Sequence, residues 1–289
     1  MTGFAITLVL ISAVAHSTWN LLVRRAATPE LFTWWMAMAV TVLGAPIAAY
    51  VLITDPPDAT GWAFVGGTIV LHTGYFTFLG RAYRTGDLST VYPVARGLGI
   101  ALIPAVAFLA IGESVSWPAG LGIALIIAGI FAVASGRQRA GASWQGLVRT
   151  PGLVYALLTG LTIAGYSVVD KQGVKHVYPL LYVILLTTGG GTGMLLTLRR
   201  QYSRAAFENE LRRHWRAIVI AGVLQTAAYG LVLFALRVSP VSYVGPFREV
   251  GVVFGVIMGA AVLKERVTRL RLAGAAVIAC GAVAIALAP

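Results

Sequence analysis

Apolar runs of about twenty residues, several of them without a charged side chain, recur along this chain, near 3–23, 32–53, 62–80, 88–111, 118–135, 151–169, 178–198, 217–236, 240–262 and 271–288. Each is long enough to cross a bilayer core of about 30 Å as a helix. Only 11% of the residues are charged and 58% are hydrophobic. A soluble domain carries about 25% charged residues and would have no means of covering so much apolar surface. Turn chemistry separates the runs: Asp55-Pro56-Pro57-Asp58 divides the second from the third. Pro118 stands at the start of the fifth, where proline suits a helix N-terminus. The expectation is an all-α integral membrane protein with ten transmembrane helices.

The ten runs fall into two copies of one unit. Arg96 and Glu113 are separated by the same interval as Arg248 and Glu265, and the glycines that follow, Gly122 and Gly129, recur as Gly274 and Gly281. Tyr92-Pro93 precedes the first arginine, and Gly245-Pro246 precedes the second. The implied halves are 1–136 and 151–289, joined by a linker over 137–150. Five helices per half is an odd number, so the second half is expected to run inverted to the first, as in many transporters.

The net charge of +12 does not point to nucleic acid. No basic stripe with interleaved aromatics lies outside the apolar runs. Of the 22 lysines and arginines, all but Lys171, Lys175, Arg237, Arg96 and Arg248 fall in the connections 1–2, 3–4, 5–6, 7–8 and 9–10. Cytoplasmic loops carry that excess, so both termini are expected outside the cytoplasm of a bacterial inner membrane. The first run has no basic residue before it and no small-residue cleavage site after it, and reads as a retained helix. The mixed-charge stretch from Arg199 to Arg216 reads as a connection with room for a short surface helix.

Charges within the runs mark candidate function, since a charge at the bilayer centre costs at least about 2.5 kcal/mol. Arg96 and Arg248 lie deep in spans four and nine. They read as anion-binding or gating groups, or else as caps for carbonyls freed by Pro93 and Pro246. Glu249 reads as the only acid deep in a span. Adjacent helical residues do not face each other, so its roles are to carry a proton, to hold an amine or to neutralise Arg96. Ser12, His16 and Asn20 form a polar stripe on span one beside Trp19. Thr68, His72 and Tyr75 on span three, Tyr166 and Asp170 at span six, Gln225 and Tyr229 on span eight, and Tyr243 and Phe247 on span nine extend the polar and aromatic set. The candidate substrate-binding residues are His16, Trp19, Asn20, His72, Tyr75, Tyr92, Arg96, Tyr166, Gln225, Tyr229, Tyr243, Phe247, Arg248 and Glu249. Aromatic walls suit an amine by cation–π contact, or are ordinary packing. Both histidines have the means to take part in proton coupling.

The repeated glycines read as a close-packing face between spans five and ten, or toward a second subunit, so monomer and homodimer both stand. The Gly189–Gly193 run lacks the lysine and the preceding strand of a phosphate loop. There is no HExxH, no GxSxG and no carboxylate cluster, and Cys280 is the sole cysteine. Catalytic residues, a resident cofactor and a metal are therefore not expected; coupling to protons or another ion is.

The residues His16-Ser17-Thr18-Trp19-Asn20, Val91-Tyr92-Pro93-Val94-Ala95-Arg96-Gly97, Glu113 and, in the second half, Pro246, Arg248 and Glu265 resemble the ten-helix EamA-type members of the drug/metabolite transporter superfamily. That resemblance implies secondary transport by alternating access through a central cavity lined by helices one, three, four, six, eight and nine. It also implies that helices four, five, nine and ten pack the halves together. In that frame Glu113 and Glu265 read as acids at the N-termini of spans five and ten, favoured there by about 0.3–1 kcal/mol. Two substrate readings stand: a small polar zwitterion such as an amino acid, and a quaternary amine or drug for which the arginines only gate. A membrane-embedded enzyme or an assembly subunit is the third reading, with His16 and Asp170 as its nearest chemical groups. The expected partners are a small-molecule substrate and the lipid bilayer.

Overall fold

The computed structural model describes residues 1–85, 88–135, 151–264 and 267–289. The expected linker and Glu265 lie outside the described residues. All regular structure among the described residues is helical: α1 (Gly3–Arg24), α2 (Pro29–Thr54), α3 (Ala59–Thr85), α4 (Leu88–Ile111), α5 (Trp117–Ser135), α6 (Pro151–Gly173), α7 (Pro179–Gln201), α8 (Arg204–Val238), α9 (Val241–Phe247), α10 (Val250–Leu263) and α11 (Arg269–Leu287). They supply ten apolar spans, with α9 and α10 sharing the ninth. The protein is an all-α, multi-pass membrane protein.

Two boundaries depart from expectation. The stretch before span eight is not a separate surface helix. Ser203 caps Ala206, and α8 then runs unbroken for 35 residues. At 1.5 Å per residue that is roughly 50 Å, well beyond a bilayer core. Its amphipathic first turns are pinned by the Trp35 indole, which donates to the Phe207 carbonyl at 2.9 Å. The ninth span, expected as one helix, is instead broken at Arg248 and Glu249. Pro246 has no N–H to continue the ladder. The chain passes the break on three-residue bonds, Glu249 N to Pro246 O at 3.0 Å and Gly251 N to Arg248 O at 3.1 Å.

Contacts run mainly between the halves. α1 packs on α8, α3 and α4 on α6, α2 on α7 and α8, and α5 on α11. The last pair is the closest. A Cβ on Gly122 would meet the Gly281 carbonyl at 2.7 Å, and one on Gly129 would meet the Gly274 carbonyl at 2.7 Å. Small residues permit this approach of backbones, on which helix association in lipid depends. The glycine face is thus occupied within the chain. The glycine run of α7 serves the same end, with Gly189 against Ile69 and Gly191 against Met38.

α4 ends at Gly112, whose φ of +70° is a left-handed conformation that glycine adopts without a Cβ penalty. The Gly112 amide donates to Phe108 O and the Glu113 amide to Ala107 O, completing the C-terminal cap. This turn points Glu113 at the first turn of α9.

Candidate functional site

The break between α9 and α10 delivers Arg248 and Glu249 to the middle of the helix bundle. Irregular backbone at membrane depth is tolerated only where protein buries it or it lines a cavity, and both conditions hold. A cavity of about 20 Å³ lies here, lined by Arg96, Ile100, Ile163, Tyr166, Arg248 and Glu249 among others. It has room for about one water molecule.

Arg96 comes to this point from α4. Its Nη2 donates to Glu249 Oε1 at 2.6 Å and its Nε to Oε2 at 3.3 Å, a two-pronged pair with the carboxylate side chain only 4% exposed. The planar guanidinium matches both carboxylate oxygens at once. Glu249 is therefore spent on the arginine of the opposite half and not on its own neighbour.

Arg248 is placed differently. Its guanidinium carbon stands 5.8 Å from the centroid of the Tyr229 ring. No carboxylate among the described residues lies within 4 Å of it. It faces the cavity with aromatic surface beneath it.

A second polar group lies on the other side of Tyr229. Asp170 on α6 is buried. Thr68 Oγ1 donates to its Oδ1 at 2.6 Å and Tyr182 OH at 2.9 Å, and Tyr229 OH donates to Oδ2. His72 joins this group. Its Nδ1 is 3.0 Å from the Thr68 carbonyl and its Nε2 is 3.5 Å from Tyr229 OH. Its ring stacks on Tyr166 with centroids 4.1 Å apart. Glu249 is thus not the only acid within a span. Asp170 is a second, set in α6 because that helix continues to Gly173, beyond the expected end at 169. The signal that could have found it was the Thr68–His72 stripe of α3, which needs a polar partner when buried.

The remaining candidates divide. Tyr75 packs edge-on against Tyr166, centroids 6.0 Å apart, and so belongs to the aromatic wall. His16 packs edge-on against Trp19 at 5.1 Å. Its stripe does not act as one unit: Ser12 Oγ donates to Ala228 O on α8, while Asn20 Nδ2 turns back to its own helix at His16 O. His16 and Asp170 share no hydrogen bond among the described residues. Gln225 Oε1 and Trp19 Nε1 are buried without a hydrogen-bond partner among the described residues. Phe247 is buried in the main apolar core. Tyr92 sits at the exposed face of α4. Tyr243 points away from the cavity: its hydroxyl accepts from Ser116 N at 3.1 Å and lies 3.2 Å from Ser116 Oγ.

Glu113 has a partner that its sequence position does not suggest. Its carboxylate does not cap its own following helix, α5. It accepts from Val241 N at 3.1 Å, Ser242 N at 2.9 Å and Ser242 Oγ at 2.7 Å, closing the N-terminus of α9. The first turn of α9 offers unpaired amides, and a carboxylate is the strongest acceptor for them. Glu113 thereby fixes the short helix that carries Arg248 and Glu249 at its far end.

Comparison with known proteins agrees with this architecture. The model of the EamA-like transporter family matches residues 150–287, and that of the Small Multidrug Resistance protein family matches residues 34–126. The chain is 41% identical over 66 residues to the multidrug resistance proteins EbrB of Bacillus atrophaeus and of Bacillus subtilis (strain 168), a stretch covering 23% of this chain. It spans 56% of the length of each of these relatives. It is 30% identical over 99 residues to the quaternary ammonium compound-resistance protein QacF of Klebsiella aerogenes, covering 33% of this chain and 86% of that protein. A crystal structure sharing 18% sequence identity superimposes with a TM-score of 0.76 over 99% of this chain and 97% of the other, a likeness of fold. With ten apolar helices, family matches in both halves and a 30%-identical relative matched over 86% of its length, the chain belongs to the drug/metabolite transporter superfamily.

Proposed function

We propose that this protein is a secondary transporter of a small zwitterionic metabolite, a carboxylate with an ammonium group such as an amino acid, moved by alternating access. One observation carries the reading. Of the two arginines at the cavity, Arg96 is neutralised by Glu249, whereas Arg248 faces the cavity against the Tyr229 ring and, among the described residues, pairs with no carboxylate within 4 Å. A substrate carboxylate complements Arg248, and a substrate ammonium competes with Arg96 for Glu249. A cavity with room for about one water admits no such ligand, so the conformation described is a closed one and binding requires the Arg96–Glu249 pair to open.

Alternating access needs two equivalent halves, and several features support an inverted repeat over 1–136 and 151–289. Gly122 meets Gly281 and Gly129 meets Gly274, so α5 and α11 run antiparallel, and exchanging the halves maps each contact onto the other. The two positive-φ residues among those described are Gly112 at +70° and Lys264 at +53°, at equivalent places after α4 and α10.

A second reading, a quaternary-ammonium or drug cation as substrate, is favoured by the likeness to a quaternary ammonium compound-resistance protein and by the Tyr75, Tyr166 and Tyr229 wall. The test is a thermal-shift panel on purified protein, with alanine and glycine betaine as zwitterions, choline and tetraethylammonium as cations, and acetate as anion. A bound ligand raises stability by mass action. The zwitterions are expected to stabilise the wild type and to lose the effect in Arg248→Gln. A charge-assisted bond worth about 1.5–3 kcal/mol corresponds to roughly a ten- to hundredfold loss of affinity. Stabilisation by choline that survives Arg248→Gln would establish the cation reading instead.

A further inference from the structure

Beyond the cavity, the side chains of Asp170, Thr68, His72 and Tyr229 close a ring of hydrogen bonds across α3, α6 and α8. The geometry points to this ring as a proton-binding site, separate from the substrate cavity, in which one exchangeable proton is shared by His72 and Asp170 through Tyr229. The inference rests on the transport reading only for its purpose, which is to drive substrate movement with a proton gradient.

The hydroxyl protons of Thr68, Tyr182 and Tyr229 are all committed to the Asp170 carboxylate. His72 is left facing acceptors on both sides, the Thr68 carbonyl and the Thr68 hydroxyl oxygen at Nδ1, 3.0 and 3.1 Å away, and the Tyr229 oxygen at Nε2. Neutral imidazole has one donor and one acceptor, and only imidazolium has two donors. With a carboxylate at Asp170 the ring is therefore complete only when His72 carries a proton. One rearrangement preserves every bond. Asp170 takes the proton and donates it to the Tyr229 oxygen, Tyr229 turns its own proton to His72 Nε2, and neutral His72 donates from Nδ1 to the Thr68 carbonyl. Remove the proton altogether and one contact must fail: with the imidazole proton on Nδ1, Tyr229 cannot donate to Asp170 and His72 together, and with it on Nε2, the bare Nδ1 faces the Thr68 carbonyl and takes the Thr68 hydroxyl proton only at the expense of Asp170. The ring is thus satisfied with one added proton in two arrangements and unsatisfied without it, and an unmade bond among buried polar groups is costly.

The groups facing the ring are Tyr166 from α6, stacked on His72, Tyr182 from α7, Tyr75 from α3 against Tyr166, and Arg248 from the α9–α10 break, over the Tyr229 ring. Arg248 is the sole fixed cation in contact with a member of the ring among the described residues. A substrate carboxylate that neutralises Arg248 removes positive potential from Tyr229 and favours the proton on the ring. Two residues thus join the sites: Tyr229 through Arg248, and Tyr166, which lines the cavity and stacks on His72.

The test uses full-length protein without substrate, reconstituted in lipid, between about pH 5 and pH 9, a range that spans ordinary histidine titration. ¹⁵N-histidine magnetic resonance reads the state of His72, assigned by its loss in His72→Gln. Infrared difference spectra read a protonated carboxyl, assigned by its loss in Asp170→Asn. The expected result is a single titration in which imidazolium at His72 or a protonated carboxyl at Asp170 disappears as pH rises, abolished by either substitution. Tyr229→Phe keeps the ring under Arg248 without the hydroxyl, and is expected to split this into two independent titrations. Wild-type protein in which His72 stays neutral and Asp170 stays ionised throughout the range would overturn the site, whatever the variants do. A Tyr229→Phe titration superimposable on wild type would overturn the link. Since no substrate is present, a protein that shows the titration yet binds nothing in the ligand panel counts against the transport reading and leaves the proton site standing.

Discussion

Arg96 and Glu249 pair across 153 positions of sequence while Arg248, bonded to Glu249 along the chain, does not. The sequence alone leaves Glu249 several roles, and the helix break decides among them by turning two adjacent residues to different neighbours. Removing one partner of a buried ion pair costs about 3–5 kcal/mol, because the other is left charged and unpaired, whereas replacing both is far milder. Arg96→Gln and Glu249→Gln are each expected to lower the unfolding temperature in detergent clearly, and the double variant Arg96→Gln/Glu249→Gln to recover most of the loss. Additive losses in the double variant would mean that the two side chains do not act as a pair. Asp170 was less legible than either arginine. It stands at the end of an apolar run, where an acid ordinarily meets water, and its three donors come from three different helices, α3, α7 and α8, at sequence separations of 102, 12 and 59. Such convergence leaves no local pattern to read.

Among the elements, the helices themselves were plain in the sequence, because a twenty-residue apolar run has few alternatives in a membrane. Their ends and caps were not, because those depend on which neighbour supplies the missing bonds. Glu113 shows this. Its place just before α5 suggested a cap there, but Gly112 turns it to α9 instead. Glu113→Ala is expected to cost about 0.5–2 kcal/mol as a lost helix cap. Thermal unfolding measures that cost, and in Arg248-dependent ligand binding the same change is expected to appear as weaker affinity, since α9 carries the site. Lys264 offers the converse case. It holds a left-handed conformation at φ +53° after α10, where a side chain costs roughly 1–2 kcal/mol. Lys264→Gly is expected to raise the unfolding temperature, and a fall would show that the lysine side chain contributes more than its backbone strain costs.

The whole molecule carries a charge asymmetry that the structure explains at its exceptions. On the side poor in lysine and arginine, the cations are Lys171, Lys175 and Arg237. Lys171 Nζ donates to the carbonyls of Leu236 at 2.6 Å and Ser239 at 2.9 Å, at the end of α8, and Arg237 Nε donates to Val174 O at 2.8 Å, just past α6. These two cations each close the C-terminus of the other's helix, where the last carbonyls lack partners and the dipole favours positive charge. Their presence on that face follows from helix capping and does not weaken the bias. The opposite face holds Arg24, Arg25, Arg81, Arg84 and the arginine-rich start of α8, including exposed Arg212 and Arg213. If that excess faces the cytoplasm, a cysteine placed at Arg212 in a protein whose Cys280 has been replaced by Ala is out of reach of a membrane-impermeant maleimide in intact cells. It becomes reactive once the membrane is opened, and a cysteine at Lys175 behaves the opposite way. Labelling of the Arg212→Cys protein from outside would reverse the orientation. It would also require that the positive face be held there by something stronger than its arginines.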